Sequence, residues 1–310
     1  MNTENSPRPL IRQGWLRVIL FFIVYFLVVL ALSMPAALLV SWLKREDLSK
    51  GISIKPADLL NGEFLWLIIL IALLGTLLVV FLFRKFIDRK SVMSLGFKFS
   101  RNRSDAATGF FLGPAILGLG SVILYFTGHL QWTDIITDWT SLLLSLVVFV
   151  MVAFSEEIAF RGYILNNLMD SFNKWLALFI SAILFSAFHL GNAGIGFIPL
   201  ANIFLAGILL GINYIYTRNL WFGIFLHFSW NFFQGPILGF KVSGINMNSL
   251  LQTDLQGGLM VTGGDFGFEG SIIDMALTLI SILLLYWIYE KKYKEMHSGE
   301  EDNLLNPQLQ

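Results

Sequence analysis

LLLSLVVFVMVAFSEEIAFRGYILNNL, residues 142–168, is an apolar run interrupted by two adjacent carboxylates and an arginine. A helix that crosses ~30 Å of hydrocarbon needs about 20 mostly apolar residues, and this run is long enough. Tyr163, Ile164, Leu165 and Leu168 carry the apolar pattern past Arg161, so the charges fall inside the span rather than marking its end. Seven further runs of this kind flank it, at about 18–43, 64–83, 106–126, 175–190, 199–216, 220–240 and 271–289. The expected fold is therefore all-α, a polytopic membrane helix bundle of about eight transmembrane helices.

Composition agrees with that reading. Of 310 residues, 56% are hydrophobic and only 14% are charged, against about 25% charged in an ordinary globular domain. Cysteine is absent, which excludes disulfides, thiolate metal sites, Fe–S clusters and a cysteine nucleophile. Lys and Arg balance Asp and Glu at 21 each, leaving no net field to attract nucleic acid. The first run follows Arg8, Arg12 and Arg17 and contains Ala31-Leu32-Ser33, which resembles a cleavage site. It is too long for the h-region of a signal peptide and reads as a retained anchor with Pro35 as its kink point.

Cytoplasmic segments carry the excess of Lys and Arg. With the N-terminus inside, sixteen of these residues fall on inner segments, among them Arg84 to Arg103, Arg161, Lys174, Arg218 and Lys291 to Lys294. Five fall outside: Lys44, Arg45, Lys50, Lys55 and Lys241. Both termini are expected in the cytoplasm, and the expected place is a bacterial inner membrane. The chain then divides into a cytoplasmic N-terminal segment (1–17), N-terminal spans with a basic loop (18–140) and a core (141–240). A Gly-rich outer loop with the last span (241–289) and a polar, frayed tail (290–310) complete it. Glycines four apart at Gly109/Gly113, Gly207/Gly211 and Gly235/Gly239 suit close helix packing in lipid. The glycines from Gly257 to Gly270 lack the Lys-Ser/Thr pair of a phosphate loop and read as a turn-rich or re-entrant cap. No internal repeat is evident.

An ionisable side chain inside the membrane is costly and points to function. Glu157 and Arg161 are i,i+4 and share a helix face, whereas Glu156 is rotated by ~100° and faces elsewhere. Phe185 and His189 in the fifth run have the same i,i+4 spacing, as do His227 and Asn231 in the seventh. At ~1.5 Å rise per residue the polar groups lie roughly 10 to 21 Å from the inner boundary, so they can occupy one layer. A carboxylate, neutral imidazoles and an amide suit the activation of water for amide hydrolysis, with Glu156 as general base and His189 sharing its proton. His227 and Asn231 are the oxyanion donors in this scheme. Zinc held by Glu156, His189 and His227 is the metal alternative, but His-Glu-x-x-His is absent, so no cofactor is expected.

These three motifs, in this order on separate spans, resemble those of the CPBP family of intramembrane proteases, which includes type II CAAX prenyl endopeptidases and bacterial proteins linked to bacteriocin self-immunity. The segment Gly263 to Gly270 also resembles one found in many bacterial members. The resemblance covers roughly residues 142–233 and implies a glutamate-dependent endopeptidase site, opening to the cytosol and to lateral lipid. It implies Glu156 as the water-activating group assisted by His189, with His227 and Asn231 holding the oxyanion and Glu157, Arg161 and Phe185 supporting. The expected partners are the bilayer and a membrane-associated protein or peptide substrate. Nothing in the sequence requires that substrate to be prenylated. A non-catalytic scaffold or immunity-type partner and a proton-coupled transporter are the rival readings.

Overall fold

The computed structural model describes residues 8–43, 65–100 and 102–305. Each of the eight apolar runs is helical: α1 (Gly14–Leu43), α2 (Leu65–Leu82), α3 (Arg103–Phe126), α4 (Trp139–Glu157), α5 (Lys174–Phe188), α6 (Phe197–Ile212), α7 (Trp221–Phe232) and α8 (Ile272–Leu305). With no water in hydrocarbon to satisfy backbone groups, an apolar segment must bond internally, and an α-helix does so. Side-chain caps mark some starts. Asp138 accepts from the Ser141 amide at the head of α4, and Asn173 accepts from Trp175 and Leu176 at the head of α5. The tail expected to be frayed is helical as far as Leu305. The four basic residues of the first outer loop, Lys44 to Lys55, lie outside the described residues.

Six helical segments among the described residues are long and apolar enough to cross a bilayer. Helices α5 and α7 are shorter, at 15 and 12 residues, and α7 continues only through a wide π-helical turn to Ile237. Short helices are tolerated where the chain beyond them is covered by protein or lines a cavity, and both stop beside one. The outer faces of the long helices are greasy: Ile19, Ile23, Phe26, Leu27 and Leu30 on α1 are each about half exposed. A soluble monomer rarely shows so large a patch. This is the lipid-facing surface of an integral membrane protein.

The helix ends sort into two groups. At one end Arg17 of α1 donates to Asp88, after α2, and to Asp170, after α4, at 3.0 and 2.8 Å. Asp88 also accepts from Arg84 and from the Tyr163 hydroxyl. Arg17, Arg84 and Asp88 are fully buried, so this cluster forms inside the bundle and not in a loop. Lys174 pairs with Glu290 of α8 at the same end. At the other end a two-stranded antiparallel ribbon, β1 (Leu130–Ile135) with β2 (Leu251–Leu255), joins the segment after α3 to the Gly-rich segment. The all-helical expectation did not include this ribbon. The Gly-rich segment is a series of short turns, as expected, and it docks on the α5–α6 connection, where the Asn192 amide donates to the Ser243 carbonyl.

Two of the three glycine pairs do pack helices. A Cβ on Gly109 of α3 would stand 2.3 Å from the Phe222 carbonyl oxygen of α7, and one on Gly207 of α6 would stand 2.9 Å from Ala182 of α5. The third pair works differently. Gly239 has φ +82° and its missing side chain makes room for the Leu251 carbonyl at the ribbon, so the expectation of a helix contact there is corrected to a tight turn. Gly109→Ala should cost about 1–3 kcal/mol through the forced separation of α3 from α7. The measurement is the thermal unfolding midpoint in detergent, and an unchanged midpoint would contradict the close approach.

Candidate active site

The site is built where α4, α5 and α7 meet. Helix α4 ends at Glu157 and passes into a π-helical segment, Ile158–Leu165, every residue of which is buried. Such wide turns are rare and concentrate at functional sites. Arg161, inside this segment, donates to Glu157 at 2.8 Å and to the Gly207 carbonyl at 3.0 Å. The i,i+4 pair read from the sequence is formed. Arg161 was also counted among the inner-segment charges; it lies inside the bundle, 2% exposed, and drops out of that count.

Glu157 does more than neutralise Arg161. Its Oε1 also lies 3.0 Å from His227 Nδ1. A carboxylate oxygen accepts, so Nδ1 carries a proton and Nε2 is turned toward the cavity. His189, the residue that caps α5, is fixed in the same sense. Its Nδ1 is 2.8 Å from the Phe185 carbonyl, an acceptor, which again leaves Nε2 facing inward. Both Nε2 atoms aim at Glu156 Oε2, at 3.8 Å from His189 and 3.9 Å from His227. Glu156 is rotated away from Arg161, as the helical period requires. Its Oε2 is shielded from solvent and has no hydrogen-bond donor among the protein atoms. Leaving a buried acceptor unmet costs about 1–3 kcal/mol, so the arrangement is not one that packing alone favours.

Glu156, His189, His227 and Asn231 all line one cavity of about 220 Å³. Phe185 borders it, with its ring 4.4 Å from the Arg161 guanidinium carbon and 4.8 Å from the His189 ring. The seven residues read from the sequence are thus brought together. Among the described residues no cluster of three or more His, Cys, Asp or Glu is arranged to hold a metal ion.

Other residues were not anticipated. Ser155 meets Thr76 of α2 at 2.8 Å, fixing α4 beside the site. Glu269, from the Gly-rich segment, enters the cavity wall and accepts from Trp230 Nε1 at 3.1 Å and from the Ser243 amide and hydroxyl at 2.9 and 2.8 Å. The signal in the sequence was a carboxylate set between glycines, just ahead of the last span. The cavity extends from the Glu156 layer toward the ribbon end of the bundle, where Asn192, Ser243 and Ile245 form its rim. Among the described residues that end holds one Lys or Arg, Lys241. The expectation of cytoplasmic termini and that of a site opening to the cytosol therefore do not hold together.

Comparison with known proteins adds one match, over about a third of the chain. Residues 138–233 match the family model described as type II CAAX prenyl endopeptidase Rce1-like. The match runs from the cap of α4 through Phe233 and contains all three motifs, as the resemblance implied. No curated protein matches the chain.

Burial of Glu269 raises its carboxyl above the ordinary 4.5, against the lowering effect of the bonds from Ser243 and Trp230. A group that holds its proton more tightly folded than unfolded adds stability below its unfolded pKa, and this is lost as pH rises through the raised value. The thermal midpoint should therefore gain a downward slope from about pH 4.5 upward, and Glu269→Gln should flatten it. Equal slopes in the two proteins would show that Glu269 does not titrate in this way.

Proposed function

We propose, from the Rce1-like domain at residues 138–233, that the chain is an intramembrane endopeptidase in which Glu156 activates water. The observation that carries the proposal is the approach of His189 Nε2 and His227 Nε2 to one atom, Glu156 Oε2, at 3.8 and 3.9 Å. With both Nδ1 atoms committed to acceptors, all three atoms present lone pairs to one point, and such a point suits a group that brings hydrogens. Separations beyond 3.5 Å are too long for direct hydrogen bonds and are where a bridging water is looked for. A water there donates to the carboxylate and to an imidazole and keeps its own lone pair for a substrate carbonyl.

Glu156 takes a proton from the water as the water oxygen bonds to the carbonyl carbon. The carbonyl oxygen becomes an oxyanion, for which Asn231 supplies an amide donor. His227 Nε2 donates as well when the ring carries both protons, and Glu157 then faces the resulting positive charge through Nδ1. Collapse breaks the C–N bond, and the proton held by Glu156 passes to the leaving amine, with His189 in place to share it. No cysteine or serine nucleophile is needed. The substrate is a membrane-associated protein or peptide.

Glu156→Gln keeps the shape and removes the base, and His227→Ala removes one of the two oxyanion donors. Each should lower turnover of a cleaved peptide by at least about 100-fold while the far-ultraviolet circular dichroism and elution volume stay those of the parent protein. Undiminished cleavage by Glu156→Gln would sink the mechanism. Strong chelators should leave activity unchanged, and elemental analysis of active protein should find no stoichiometric metal. Loss of activity to a chelator with recovery on zinc would instead favour metal chemistry by the same three side chains.

A further inference from the structure

The two ends of the bundle differ in charge and in how tightly they seal the cavity. At the Arg17 end lie Arg8 to Arg17, Arg84 to Lys98, Arg103, Lys174, Arg218 and Lys291 to Lys294, placed together by the contacts Arg17–Asp88, Arg17–Asp170, Arg218–Asn166 and Lys174–Glu290. At the ribbon end, Lys241 is the one described Lys or Arg, and it pairs with the exposed Asp265. Positively charged segments stay on the cytoplasmic side, which places the Arg17 end there.

The cavity runs from the depth of Glu156 toward the opposite end. Its walls are α4 from Phe149 to Glu156, α6 from Asn202 to Leu210 and the last turns of α5 and α7, and they continue toward the ribbon end through Ser243, Glu269 and Asp274 at the head of α8. Toward the Arg17 end it is closed by residues 157–165, all buried, beginning with the Glu157–Arg161 pair. Below that pair, Tyr163 stacks on Phe21 at 4.1 Å and meets the edge of Phe83, so a second layer closes the way. Toward the ribbon end the rim residues Asn192, Ser243 and Ile245 are partly exposed, and Ala193 beside them is exposed.

We infer that the cavity is filled from the non-cytoplasmic side, so that its substrate is an exported peptide or the outer portion of a membrane segment. A tail held in the cytosol does not reach Glu156. The substrate class rests on the proposed hydrolytic reading, whereas the direction of access does not.

The absence of cysteine makes the test direct. Single cysteines are introduced into the full chain at Ala193 on the rim, Val152 on the cavity wall and Ser100 at the Arg17 end. A membrane-impermeant maleimide is used for Ala193→Cys and Ser100→Cys, and a small charged thiosulfonate for Val152→Cys. In spheroplasts, reagent added outside should modify Ala193→Cys and Val152→Cys and leave Ser100→Cys unmodified. Inverted vesicles should give the reverse pattern. Modification of Val152→Cys or Ala193→Cys from the cytoplasmic side alone, or failure of either to react from outside, overturns the inference. Labelling reads access whether or not a peptide is cleaved. A protein labelled as expected whose Glu156→Gln variant still cleaves keeps the inference on access and loses the mechanism.

Discussion

A carboxylate deprived of water must find its protons in the surrounding protein, and Glu157 meets that demand by accepting from Arg161 and His227 with one oxygen. Breaking a buried ionic contact by removing one partner costs about 3–5 kcal/mol, so these three side chains fix one another. Neighbouring elements are shaped around them. A Cβ on Gly223 of α7 would come within 2.6 Å of Glu157 Oε2, and the glycine lets that helix lie against the carboxylate. Gly207 brings its carbonyl to Arg161 while its missing side chain admits Ala182. The π-helical turn after Glu157 carries Arg161 to both acceptors. Glu156, next in the chain and turned away from this cluster, is the carboxylate left to face the cavity.

The same rule governs the far end. Arg17 and Arg84 surround Asp88, and Tyr163 adds a hydroxyl, so three helices are joined through one buried acid. Such a cluster is costly to assemble and specific once assembled: few other arrangements of these helices would satisfy all of its charges. It sits one layer of aromatic rings from the Glu157 cluster. The two acids thus fix the lower half of the bundle as a unit, against which the cavity is built.

The sequence made the helices visible through length and hydropathy, and it made the Glu157–Arg161 pair visible because i,i+4 spacing dictates contact. It also brought His189 and His227 into one layer through simple rise per residue. Their side-chain contacts obey a different logic: Phe185 holds His189 with its carbonyl, and no periodicity announces a backbone partner. The wide turns at Phe83–Asp88, Ile158–Leu165 and Phe233–Ile237 have no composition of their own. They arise where tertiary contacts on either side demand an extra residue. Glu269 was hidden among glycines that read as turn formers, and only the docking of that segment on Trp230 shows it as part of the wall. In β1, Leu-Gln-Trp-Thr alternates, but in β2, Leu-Gln-Thr-Asp-Leu, three polar residues stand in a row, and strands of five or six residues are weak signals in so apolar a chain.

The shortness of α5 bears on the surrounding bilayer. Fifteen residues rise about 22 Å, short of the ~30 Å of hydrocarbon that a full span covers. Beyond His189 the chain runs through Gly191, Asn192 and Gly194, and the Ser243 carbonyl accepts from Asn192 across the rim. Polar backbone therefore occupies a depth at which the other helices still face acyl chains. Backbone of this kind is tolerated at such a depth only where protein covers it or it lines a cavity, and here the docked Gly-rich segment and the cavity do both. The end of α5 is thus the place where the cavity beside Glu156 comes nearest to exposed polar chain, at Asn192 and Ala193.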